Sequence, residues 1–119
     1  MQIKELIGEQ LYVAQLDDTC QTLAERMDVL DVHALPVVDE DRRPLGFVSS
    51  SDLTPDLPSD TAIADVMTDQ VYSIDIDDAA KEAARMMRDL GVHHLVVTER
   101  DAAVGIVSSF DLLRVIEES

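Results

Sequence analysis

The stretch VHALPVVDEDRRPLGFVSSSDL, residues 32–53, returns as VHHLVVTERDAAVGIVSSFDL at residues 92–112. Both versions keep a histidine after a valine, a glycine three residues before a serine, and an aspartate three residues after it. Sliding the chain along itself superposes much more. Ile3 falls on Ile63, Tyr12 on Tyr72, Asp17-Asp18 on Asp77-Asp78, Ala24 on Ala84 and Met27 on Met87. With one residue dropped from the second turn, Gly46 meets Gly105, Ser49 meets Ser108, and Asp52-Leu53 meets Asp111-Leu112. The chain is a tandem duplication, with copies at 1–55 and 61–119 joined by a linker at 56–60.

Each copy reads as the same string of elements. LYVAQL (11–16) and VYSIDI (71–76) are short β-rich runs. Asp18 and Asp78 follow where a helix N-cap belongs. Cys20, Leu23, Ala24, Met27 and Leu30, and then Ala80, Ala83, Ala84, Met87 and Leu90, recur at helical spacing on one face. Gly91 closes the second helix as a left-handed cap, and Asp31 holds that position in the first. ALPVV and LGFV, then HLVVT and VGIV, flank polar turns and predict two β-hairpins. A last helix starts at Ser49 or Ser108, and in the first copy Pro55 stops it early. The fold class is therefore α/β of the α+β kind, β-α-β-β-α written twice.

The bulk composition narrows the function. A 46% hydrophobic share over 119 residues supports a packed core, and with no Trp, two Tyr and two Phe that core is aliphatic. The single Cys20 excludes an internal disulfide and reads as a small buried residue. No run approaches the roughly 20 apolar residues of a membrane span, and MQIKELIGEQ has no leader pattern, so a cytoplasmic location is expected. A net charge of −16, from nine basic and 25 acidic residues, repels phosphate backbones and argues against nucleic acid or membrane partners. Only Lys4 and Lys81 are lysines. An acidic surface of this kind fits a salt-rich cytoplasm and an ordinary solubilising face equally well.

The repeated Gly-x-x-Ser-x-x-Asp has two readings. A helix N-terminus after a buried strand favours an anion, and an aspartate one turn in has the acceptor geometry for a diol such as ribose hydroxyls. The same Ser-x-x-Asp is also a capping box, which needs no ligand. Neither reading is excluded by spacing. His33, His93 and His94 lack further ligands at metal spacing, so no metal or other cofactor is expected. Ser49, His33 and Asp52 do not form a nucleophile set either, because the aspartate sits on the serine's own helical turn and cannot orient the histidine. With no general base set beside a nucleophile, an enzyme is not expected.

Taken with MT-x-x-V (Met67, Thr68, Val71), the segments VHHLVV and GIVSSFD resemble the CBS domain, named for cystathionine β-synthase, and the whole chain resembles a stand-alone tandem CBS pair. The resemblance implies two repeats packed with pseudo-two-fold symmetry, clefts between them, and a homodimer formed through helices. It implies a regulatory module that binds AMP, ADP, ATP or S-adenosylmethionine on behalf of an unknown regulated protein. On that likeness Asp52 and Asp111 match the ribose-binding aspartate. Ser49 and Ser108 match the phosphate-end hydroxyl, with Ser51 a further candidate. Thr68, Val71 and Tyr72, and by repeat Leu11 and Tyr12, match the adenine pocket, and His33, His93 and His94 match positions near the phosphates. Many members carry an arginine after that histidine, where this chain has Ala34 and His94. The lost cation favours AMP over ATP. The alternative is a structural dimerisation module with empty clefts.

Overall fold

The computed structural model describes residues 1–7 and 12–118. It is a mixed α+β structure with three helices and two three-stranded sheets. The chain divides into two compact units, one formed by Tyr12–Val71 and the other by Met1–Leu11 with Tyr72–Ser119. These units do not coincide with the sequence copies. The first residues of each copy pack with the body of the other, and residues 56–60 belong inside the 12–71 unit.

In the 12–71 unit, β1 (Ala14–Gln15) runs parallel to β2 (Ala34–Val38), which pairs antiparallel with β3 (Pro44–Ser49). Helix α1 (Cys20–Leu30) makes the crossover from β1 to β2. Of the expected apolar positions, Cys20, Leu23 and Met27 are buried with Ala14, Leu35, Val37, Val48 and Ile63, while Ala24 and Leu30 are half-buried and, in the second copy's helix, Ala84 and Leu90 are exposed. The strand over 11–16 is shorter than its apolar pattern predicts, and Leu11 lies outside the described residues. Ile63 arrives on a single 3₁₀ turn (Ile63–Asp65), placed by the Thr61 carbonyl accepting from Cys20 N–H at 3.0 Å.

The other unit repeats the plan. β4 (Ser73–Asp75) is parallel to β5 (His94–Glu99), β5 is antiparallel to β6 (Ala102–Ser108), and α2 (Ala80–Leu90) makes the crossover. Ile3 fills the place that Ile63 takes in the first unit, fully buried with Ile74, Ala83, Met87, Leu95, Val97 and Val107. Its amide donates to the Asp78 carbonyl at 2.9 Å, the Lys4 amide donates to Ile76, and the Ala80 amide donates to Met1.

Two local expectations are corrected. Asp18 and Asp78 do not cap the helices; Thr19 and Ala79 hold the N-cap positions, and of these two only Thr19 caps with its side chain, Oγ1 accepting from Thr22 N–H at 3.2 Å. The aspartates instead close the turn after each first strand, where Asp18 accepts from Gln15 N–H at 2.9 Å and Asp78 from Asp75 N–H at 3.2 Å. A carboxylate that accepts from the amide three residues back uses the same chemistry as a cap, so residue type alone could not separate the two. Asp31 and Gly91 both adopt the left-handed conformation expected of them, with φ of 56° and 68°.

The copies diverge after their last strands. The second continues into α3 (Ser109–Glu118), while the first makes only a 3₁₀ turn, Ser50–Asp52. Phe110, Leu113 and Ile116 leave one face of α3 exposed, at 77%, 61% and 69%.

Candidate functional site

Each site starts where a hairpin strand ends. In the 12–71 unit, extended Ser49 closes β3 and its amide donates to Asp52 Oδ2 at 2.8 Å. The Ser49 hydroxyl donates to the same oxygen at 3.0 Å and shares a second bond with Ser51 Oγ at 2.8 Å. The next amide, Ser50 N–H, donates to the His33 carbonyl at 2.8 Å. That bond joins the start of β2 to the end of β3 and leaves the His33 side chain exposed.

The other unit reproduces this geometry. Ser108 N–H and its hydroxyl reach Asp111 Oδ2 at 2.8 and 3.0 Å, and Asp111 N–H returns to Ser108 Oγ at 3.1 Å. Ser109 N–H donates to the His93 carbonyl at 2.9 Å. Arg114 lies one turn on, 3.9 Å from Asp111 Oδ1. His93 is exposed and His94, the first residue of β5, is half-buried.

Both Ser-x-x-Asp segments therefore act as capping boxes. The serine donors converge on one oxygen of each half-buried aspartate. The amides of Ser49, Ser50, Ser108 and Ser109 already bond to Asp52, His33, Asp111 and His93 respectively. Part of the anion-binding power of these turns is thus spent within the chain.

Thr68 is brought to the first site by backbone pairing. Phe47 N–H donates to the Thr68 carbonyl and Thr68 N–H to the Phe47 carbonyl, both at 2.9 Å, so the segment after the 3₁₀ turn at 63–65 bridges to the edge of β3. Gly46 permits this approach. A Cβ there would run into the Thr68 carbonyl oxygen and stand 3.1 Å from Met67 Sδ. Val71 is half-buried, and Tyr12 packs against the core of its unit. Tyr72 packs on the core of the other unit, and its carbonyl accepts from Val96 N–H.

Two features escaped the sequence reading. One is the Phe47–Thr68 bridge, whose only sequence signal was the glycine. The other is a cavity of about 230 Å³ beside the first turn, lined by Met27, Asp28, Asp31, Val32, His33 and Ser50 among others. A larger hollow of about 420 Å³, walled by Cys20, Ala24, Leu53 and Leu57, touches none of the expected site residues. Burial pushes the Cys20 thiol above its ordinary pKa, and the nearby Asp65 carboxylate adds to the shift.

Among the described residues, no group of three or more His, Cys, Asp or Glu converges to hold a metal ion. Among them too, no helix is long and apolar enough to cross a membrane.

Comparison with known proteins agrees with the geometry. The CBS domain family matches this chain twice, over residues 3–57 and 63–118. The protein YlbB of Bacillus subtilis is 31% identical over 116 residues, covering 92% of this chain and 78% of YlbB. An inosine-5'-monophosphate dehydrogenase of Halobacterium salinarum is 29% identical over 108 residues, which span 88% of this chain but only 22% of that enzyme. The crystal structure of the CBS domain pair of protein MJ0100, in complex with 5'-methylthioadenosine and S-adenosyl-L-methionine, superposes with a TM-score of 0.86 at 22% identity. That match covers 99% of this chain and 97% of MJ0100's pair. Two matched repeats, each ending its hairpin in the same serine–aspartate turn, make this chain a member of the CBS domain family, built as a tandem pair.

Proposed function

We propose that this chain is a regulatory module that senses an adenosine-containing ligand, with AMP favoured over ATP, and passes its occupancy to a regulated protein. The observation that carries the reading is the paired turn. Ser49–Asp52 and Ser108–Asp111 each hold a half-buried carboxylate by one oxygen at the end of a buried strand. The remaining oxygen is suited to a ribose diol. Thr68, Val71, Tyr12, Tyr72 and Leu11 are the proposed adenine contacts, and Ser51, His33, His93 and His94 the contacts toward the 5' end. The neighbouring CBS pair crystallised with two adenosine derivatives supports the ligand class.

The preference for few phosphates follows from charge. The 12–71 unit carries 13 acidic and 3 basic side chains, a net of −10. Its turn amides are engaged by the chain itself, and Ala34 and His94 stand where a fixed cation would serve a polyphosphate. The extra negative charges that ATP carries over AMP would meet this field without compensation.

Isothermal calorimetry across AMP, ADP, ATP and S-adenosylmethionine tests the reading. Binding should occur, and Asp52→Ala and Asp111→Ala should each weaken one site. No binding to any of the four would sink it. A second reading, a dimerisation module without a ligand, is favoured by the exposed Phe110–Leu113–Ile116 stripe. It requires a homodimer in light scattering that is indifferent to nucleotide.

A further inference from the structure

We propose that the chain binds a second copy of itself through unlike faces: helix α1 and the hollow beside it on one molecule take helices α2 and α3 of another. The inference goes beyond the ligand reading of the Ser–Asp turns and does not rest on it.

The two crossover helices are related by the repeat, yet their outer charges are reversed. On α1 an exposed stripe runs through Gln21, Glu25 and Asp28. The same positions on α2 are Lys81, Arg85 and Arg88, also exposed. Steps of four and three residues keep each set on one side of its helix. Arg26, the cation of α1, is already engaged by Asp18 and the Val13 carbonyl, at 3.2 and 3.4 Å. On α2, Arg85 meets Glu82 at 3.1 Å and Arg88 meets Asp89 at 3.5 Å. Both pairs are exposed and hold their guanidinium groups weakly.

The apolar surfaces are complementary too. The hollow of about 420 Å³ opens beside the acidic stripe, for Gln21 and Glu25 line it together with Ala24, Leu53, Pro55 and Leu57. Here the first copy makes only its 3₁₀ turn, and Pro55 keeps the chain from continuing as a helix. The second copy does continue, as α3, which packs against α2 and leaves Phe110, Leu113 and Ile116 exposed. One unit thus carries a negative stripe at the edge of an apolar hollow. The other carries a positive stripe on a helix that touches an apolar ridge.

Charge names the occupant. Two chains of net −16 repel each other at a distance, and α1 against α1 would set carboxylates face to face. The unlike contact instead sets Glu25, the middle of its stripe, against Arg85, the middle of the other, in either direction of helix packing. The 12–71 unit, at a net of −10, supplies the negative surface that the α2 stripe fits. Phe110 and its neighbours enter the hollow.

Sedimentation equilibrium on the full chain in about 0.1 M salt, where exposed charges act over about 10 Å, tests the contact. Glu25→Arg with Asp28→Arg, and separately Arg85→Glu with Arg88→Glu, should each weaken self-association roughly tenfold, because attractive pairs become repulsive ones. A chain carrying all four substitutions should return to within roughly threefold of wild type, since the pairs are then opposite again. Phe110→Ser should also weaken association roughly tenfold, as truncating a buried aromatic anchor does. All five positions are exposed, and recovery in the fourfold variant shows that the double variants fold. A monomeric wild type overturns the proposal. So does a double variant that associates as wild type does, a fourfold variant as weak as the doubles, or a Phe110→Ser chain of unchanged affinity. None of these results bears on the calorimetry of nucleotides, so each reading can fail without the other.

Discussion

Gly46 and Gly105 occupy the same place in the two copies, and replacing each with alanine should have unequal consequences. At Gly46 the new methyl group would run into the Thr68 carbonyl oxygen, with the Thr68 carbonyl carbon at 3.3 Å. Those are backbone atoms, pinned by the two 2.9 Å bonds between Phe47 and Thr68. The methyl fits only if the bridge opens. Two backbone hydrogen bonds contribute about 1 kcal/mol each, and forcing a methyl into a packed site costs at least about 1 kcal/mol more. Reduced freedom of the unfolded chain returns up to about 1 kcal/mol. The net destabilisation is about 2 kcal/mol. At Gly105 the neighbour is the Ile7 side chain, whose nearest atoms stand at 3.3 to 3.5 Å and can give way. There the cost of crowding and the gain from the unfolded state nearly cancel, leaving less than about 1 kcal/mol. Urea denaturation followed by circular dichroism measures both variants. With a slope of about 1.5 kcal/mol per molar, Gly46→Ala should lower the midpoint by roughly 1.3 M, while Gly105→Ala moves it by less than half as much. Equal midpoints for the two variants would refute the steric argument and the role given to the Thr68 bridge.

Other consequences follow from particular features. Arg100 and Asp101 form the two-residue turn between paired Glu99 and Ala102, and both have positive φ, 53° and 68°. Arg100→Asn with Asp101→Gly supplies the residues such a turn prefers, and should stabilise the protein by about 1 kcal/mol in the same titration. If the exposed face of α3 holds a homodimer, Leu113→Glu should halve the mass seen by light scattering while leaving the circular dichroism spectrum intact; an unchanged mass places the contact elsewhere. The net charge of −16 implies self-repulsion, so the thermal midpoint should rise as potassium chloride goes from about 0.1 to 1 M and the screening length falls from about 10 to 3 Å. A flat response would show that the acidic side chains are spaced widely enough to cost nothing.

The sequence by itself determined the duplication, the order of elements, both hairpins, the left-handed caps at Asp31 and Gly91, and the early stop of the first copy's last helix. Those features are local. They follow from apolar spacing, from turn chemistry and from a proline, all read within a window of a few residues. The Ser-x-x-Asp turns were also visible, though not the extent to which they use up their own amides. Tertiary structure alone decided the rest. Ile3 and Ile63 are both isoleucines that open a 3₁₀ turn, and nothing in their own neighbourhoods says which core each will join. The structure buries Ile3 against the second copy's body and Ile63 against the first's. Asp18 could cap a helix or close a turn with the same carboxylate, and the choice depended on where the Gln15 amide lay in space. The space beside Gly46 is taken by Thr68, more than twenty residues on, a contact that no local pattern encodes. Local patterns set which elements form, and long-range packing sets what each residue is for, because apolar burial is non-directional and does not encode its partner.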